Sequence, residues 1–146
     1  MLRDEIAEAM RGAMKARDQV RVSTLRMLMT AVKNAQVERG HELDDDEVIG
    51  IISKEAKTRR ESIEQFEAAG RTDLVQKEEA ELAILTEYLP EQLSEADLAA
   101  LVDEAIAESG ATSPSEMGQV MKVLMPKVAG RADGKAVWAA VRARLS

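Results

Sequence analysis

MGQVMKVLMPKVAGRADGKAVWAAVRARLS, residues 117–146, is the stretch whose reading decides the fold class. Met117, Val120, Met121, Leu124 and Val128 recur at steps of three and four, which is one face of a 3.6-residue period. Pro126 has no amide donor, so this helix is expected to end or kink at Met125. Gly130 and Gly134 bracket Arg131, Ala132 and Asp133, a turn in which glycine supplies positive φ and Asp133 caps the next helix. Val137, Trp138, Val141 and Leu145 then form the apolar face of a second helix. Six cations remain for the surface, Lys122, Lys127, Arg131, Lys135, Arg142 and Arg144, against one acid, Asp133.

The rest of the chain opposes this charge. Between Glu78 and Glu116 there are eleven acidic residues and no basic one, and Met1–Lys77 is nearly balanced at 14 basic against 15 acidic. The net charge of −7 therefore hides a cationic end behind an anionic segment.

Outward from that end, every segment reads as helix. Leu2 to about Ala16 places Leu2, Ile6, Met10, Ala13 and Met14 on one side. Asp18 caps a helix to Arg39 whose face is Val22, Leu25, Met29, Val32 and Gln36, and Gly40 ends it. Asp44, Asp45 and Asp46 sit at the positive start of a third helix, which stops near Gly70. Thr72 or Asp73 caps a fourth, carrying Leu74, Val75, Leu82, Leu85 and Leu89 and halting before Pro90. Ser94 with Asp97 opens a fifth, closed by Gly110. Ser113, Pro114 and Glu116 supply cap, first-turn proline and third-position glutamate for the methionine-bearing helix. The expected fold is all-α: helical hairpins or a four-helix bundle over residues 1–90, then a small three-helix domain over 91–146.

The run MGQVMKVLMPKVAGRADGKAVWAAV resembles the C-terminal signature of the GatB/YqeY family. RVSTLRML from Arg21, SIEQFEAAGRTDLV from Ser62 and EYLPEQLS from Glu87 resemble its stand-alone YqeY-like branch, so the likeness spans nearly the whole chain in order. It implies a helical N-terminal domain followed by a small domain shared with the tail of GatB. It also implies tRNA as ligand, because that tail is implicated in holding tRNA for the aspartyl/glutamyl-tRNA amidotransferase and a related domain is appended to some glutaminyl-tRNA synthetases. Within the matching run the implication falls on Lys122, Lys127, Arg131 and Lys135; Arg142 is added on spacing, being one face with Lys135. Such a patch would contact phosphates and weaken with salt. Trp138, the region's one aromatic, is placed on the apolar face, which leaves no platform for base stacking. Ordinary surface charge is the plain alternative.

A second constellation lies in the N-terminal half. Arg59 falls on the apolar stripe of Val48, Ile52, Ile63 and Phe66, with Glu55 four residues before it. Glu78 and Glu81 fall on the stripe of the fourth helix. If the helices form a hairpin these charges can meet, either as a register-fixing ion-pair network or as a polar site.

Composition narrows the chemistry. Aromatics are 2% of the chain, cysteine is absent, and the one histidine, His41, lies in a polar connection. Disulfides and thiolate catalysis are excluded. No nucleotide-binding loop or metal-ligand spacing stands out, so neither a cofactor nor a metal is expected. The N-terminus is charged from its third residue and no stretch approaches the roughly 20 apolar residues of a membrane span, so a cytoplasmic chain with no membrane contact is expected. Three functions remain: a non-catalytic tRNA-binding accessory protein working with a tRNA synthetase or amidotransferase component, a helical protein-interaction module, and an enzyme centred on Arg59, Glu55, Glu78 and Glu81. "Amidotransferase-like" chemistry would rest on the shared tail alone, since the residues that activate and transfer an amide are not in this chain.

Overall fold

The computed structural model describes residues 1–146, which form seven α-helices and no strand. The chain is all-α, as its periodicity requires. It divides into two compact units, Met1–Leu89 and Pro90–Ser146.

The first unit contains α1 (Leu2–Ala16), α2 (Gln19–Arg39), α3 (Asp45–Ala68) and α4 (Thr72–Thr86). α1 packs chiefly on α2 and α3 on α4, and α2 also contacts both members of the second pair. Ile6, Leu25, Leu28, Val32, Leu43, Val48, Ile52 and Leu85 make the core. The buried face of α2 is Thr24, Leu25, Leu28, Val32 and Ala35, turned by about one position from the expected Val22–Met29–Gln36 line. The turn is possible because Thr24 satisfies its hydroxyl on the Val20 carbonyl at 2.8 Å and Ala35 lets neighbours close in. On α1, Ala13 takes the buried position, and Met14, about 100° round the helix, is exposed. α4 ends at Thr86, earlier than expected. Tyr88 and Leu89 continue in a tighter turn, donating to Leu85 and Thr86, and still pack on the core before Pro90. Arg21 donates to Glu87 at 2.7 Å, joining the start of α2 to the end of α4.

Helix ends are held by local chemistry. Asp18 accepts from the Arg21 amide at 3.1 Å, and Gly40 closes α2 at φ 75°. Asp44 and Glu47 form a reciprocal capping box at the start of α3. The expected cap at Thr72 or Asp73 is not made: Arg71 precedes the first turn of α4, and Asp73 instead receives the Arg71 guanidinium at 3.0 Å.

Glu47 also takes Arg39 and His41, each at 3.0 Å. The His41 contact leads in holding the Glu47 carboxyl down to about 2, and Glu47 in turn raises His41 above its ordinary 6.5. The signs fix a window. Stabilisation from His41 is present below 6.5 and lost as pH rises through its raised value; that from Glu47 is present above 4.5 and lost as pH falls toward 2. Both act in full between those ordinary values. Glu47→Gln keeps a side chain able to close the capping box, so α3 should persist. The His41 titration followed by NMR should then move back toward 6.5; an unchanged midpoint would show that Glu47 does not set it.

The second unit contains α5 (Glu95–Ser109), a 3-10 turn at Pro114–Glu116, α6 (Met117–Val128) and α7 (Gly134–Leu145). α5 packs on both α6 and α7 around Val102, Ala105, Val120, Leu124, Val128, Val137, Val141 and Leu145. Ser94 caps α5 by accepting from the Asp97 amide at 3.1 Å. α6 does not stop at Met125; it runs two residues past Pro126. Pro126 leaves the Lys122 carbonyl without its helical donor, and Val128, buried to 1% exposure, anchors the end of the helix beyond it. Gly130 adopts φ 74° in the turn that follows. Asp133 stands at the N-cap of α7 in an extended conformation but makes no side-chain cap bond.

Candidate nucleic-acid interface

The cationic end is built on α6, α7 and the turn between them. Its cations divide by what they already hold. Lys127 pairs with Glu108 of α5 at 3.3 Å, and Arg144 with Asp103 at 3.6 Å. Arg131 is committed to backbone: its Nε donates to the Glu91 carbonyl at 3.1 Å and a terminal nitrogen to the Lys127 carbonyl at 3.4 Å. The same turn accepts the Leu93 amide on the Arg131 carbonyl at 2.9 Å and the Gln92 side-chain amide on the Gly130 carbonyl at 2.8 Å. Arg131 is thus a strap between Pro90–Leu93 and the α6–α7 turn, a role its charge alone does not signal. Lys122 and Lys135 are exposed, and Lys127 and Arg144 make the only ion pairs in this stretch.

Trp138 corrects the sequence reading. It is 45% exposed, not part of the apolar face. Val137, Val141 and Leu145, spaced by four, take all the buried positions of α7, which leaves residue 138 about 100° away from Val137. The Arg142 guanidinium lies over the indole, 5.1 Å from the ring centroid, within cation–π range. Lys135, Trp138 and Arg142 are three and four residues apart and all exposed, so they form one face of α7. The sequence signal was available in the spacing of the three aliphatic residues.

The N-terminal constellation is brought together across the α3–α4 hairpin. Arg59 is 5% exposed and donates to Glu55 at 2.6 Å; its Nε lies 3.8 Å from Glu81, itself 8% exposed. That Nε has no hydrogen-bond partner. A terminal nitrogen also approaches the Met27 sulfur of α2 at 3.9 Å, a contact the sequence did not suggest. Burial pushes the Glu78 carboxyl up, and the Glu81 charge adds to this against the pull of Arg59. The cluster gathers no group of three side chains fit to hold a metal. Glu55 and Arg59 are one turn apart on α3, so their contact fixes that face, and Glu81 extends it to α4.

A family model described as Yqey-like protein matches residues 3–145. The chain belongs to the YqeY-like family. Among curated relatives, the Altered inheritance of mitochondria protein 41, mitochondrial, of Lachancea thermotolerans is 35% identical over 109 residues, covering 73% of this chain and 58% of that protein. Its counterpart in Eremothecium gossypii is 36% identical, with 73% and 60% covered. The relative of the same name in Pyrenophora tritici-repentis is 32% identical over 127 residues, with 84% and 68% covered. The matched part of this YqeY-like chain therefore spans less than two thirds of the first two relatives.

These names correct the expectation of a cytoplasmic chain, because the three relatives just described are designated mitochondrial. The error has a physical origin. Hydropathy responds to apolar segments, whereas mitochondrial targeting segments are amphipathic and arginine-rich, so hydropathy is silent about them. No helix of this protein is long and apolar enough to cross a membrane.

Proposed function

We propose that this YqeY-like protein is a tRNA-binding accessory protein without catalytic chemistry of its own, working beside a tRNA synthetase or amidotransferase component. The observation that carries the reading is the exposed Lys135–Trp138–Arg142 face of α7, set in the one segment with a strong positive charge. Lys122 adds a third exposed cation free of acidic partners. The eleven carboxylates from Glu78 to Glu116 repel phosphate and would confine RNA to the α6–α7 end. The likeness of residues 117–141 to the GatB tail supports tRNA as the class of RNA.

Lys122→Glu with Lys135→Glu tests this without disturbing the strap at Arg131. In fluorescence anisotropy with tRNA at two salt concentrations, wild type should bind in a salt-sensitive way. The double variant should lose on the order of tenfold or more in affinity, and the slope against log salt should fall by about two. Absence of wild-type binding at low salt would reject free tRNA as a ligand.

A second reading has its own observation. Met14, Val20, Met27 and Val37 are exposed on α1 and α2. Apolar side chains so placed suit a protein partner, and RNA-independent capture of one through these helices would favour an interaction module.

A further inference from the structure

Trp138 is the chain's only tryptophan, and it is spent on the surface. A core made mostly of valine, alanine and leucine has no other indole to draw on, and burying one would contribute more apolar area than any of those residues. Instead the ring stands between Lys135, three residues before it, and Arg142, four residues after it, with the Arg142 guanidinium held over it at 5.1 Å. The three side chains supply a π surface, a planar cation and a mobile cation on one helix face. That combination binds an unpaired nucleobase: the base stacks on an aromatic or guanidinium plane while the lysine meets the neighbouring phosphate. A double helix offers no exposed base face, and uniform phosphate binding has no use for an indole.

We infer that the Lys135–Trp138–Arg142 face is a stacking site for an unpaired base of RNA, so that the protein selects single-stranded segments over duplex. The inference rests on the RNA-binding proposal above and narrows it from phosphate contact to base contact. Arg142 keeps the site charged when empty and provides the second plane of the stack when it is occupied. Sequence preference is not implied, because every base has a π face.

The test uses the tryptophan as its own reporter. A single-stranded oligoribonucleotide, a blunt RNA duplex with the same number of phosphates, and tRNA are each titrated into the full chain. Anisotropy of labelled RNA and intrinsic tryptophan emission are read in parallel. Stacking should quench Trp138 emission with the single strand and with tRNA, and leave it nearly unchanged with the duplex. Trp138→Leu keeps apolar bulk without a π face and should weaken single-strand binding by about tenfold while duplex binding holds. Trp138→Phe should recover part of the loss. Circular dichroism should show both variants folded, since the side chain lies outside the core. RNA binding without quenching, and with Trp138→Leu equal to wild type, would overturn the stacking site and leave phosphate contact standing. No binding of any RNA at low salt would overturn both.

Discussion

Arg59→Ala should destabilise the N-terminal unit by about 3 kcal/mol or more. Its guanidinium is the buried cation of a cluster with Glu55, Glu81 and Glu78, and Glu81 has only 8% of its surface exposed. Removing it leaves Glu81 without a counter-charge in the α3–α4 interface and beside Glu78, whose carboxyl is already pushed up by burial. The deficit should depend on pH with a definite sign. Carboxylates whose folded values are raised favour the folded state when protonated, so the loss should be greatest near neutrality and shrink as pH falls into the carboxylate range. Pairing Arg59→Met with Glu81→Leu should restore much of the stability, because both buried charges then go and Glu55, nearer the surface, stays hydrated. Urea unfolding followed by circular dichroism measures all three. A stable Arg59→Ala protein would show that the cluster is open to water, which would favour a polar site over a structural network. If RNA binds through α7, that binding should be unaffected by Arg59→Ala under conditions where the protein remains folded.

Helix identity was legible because it depends on periodicity and end chemistry, both local. Asp18, Ser94, Gly40 and Gly110 mark ends where they stand in the sequence, and the structure uses all four. What was illegible depends on neighbours. The core face of α2 is decided by contact with α1, α3 and α4 together, so a stripe read from α2 alone is turned by a residue. Pro126 marks a break only if the lost bond outweighs the anchor at Val128, and that is a matter of packing.

The candidate site divides the same way. Its cations are plain in the sequence, but charge type does not say which are occupied. Arg131 is one of the cations the sequence offers to phosphate; it is tied instead to the carbonyls of Glu91 and Lys127. Trp138 looks like core because it stands three residues before Val141 and seven before Leu145, at helical steps. Only the four-residue spacing of Val137, Val141 and Leu145 shows that the buried stripe has no place for it. The meeting of Arg59 with Glu81 required a hairpin that the sequence suggests and the structure supplies.

Leu124→Ala should have a comparable effect on the second unit and a larger effect on binding. Leu124 is fully buried among Val120, Val128, Val137 and Val141, where branched neighbours collapse poorly into a vacated space. A leucine-to-alanine cavity of this kind costs about 3 kcal/mol. Residues 90–146 form a small unit whose core is mainly valine and alanine, and cores of this size rarely supply more than about 3–5 kcal/mol. The substitution should therefore leave the unit largely unfolded near physiological temperature. The core of Met1–Leu89 has no residue in common with it, so calorimetry should show that unit's transition kept while the other moves down or disappears. If the RNA contact is the α7 face, anisotropy should show tRNA binding lost along with that transition. Lowering the temperature until the unit refolds should bring binding back, and saturating tRNA should raise the remaining transition, since a ligand of the folded form stabilises it by mass action. Persistent tRNA affinity in a protein whose second unit has melted would place the contact elsewhere, and the acidic surface of the rest of the chain would then need a different account of how it tolerates phosphate.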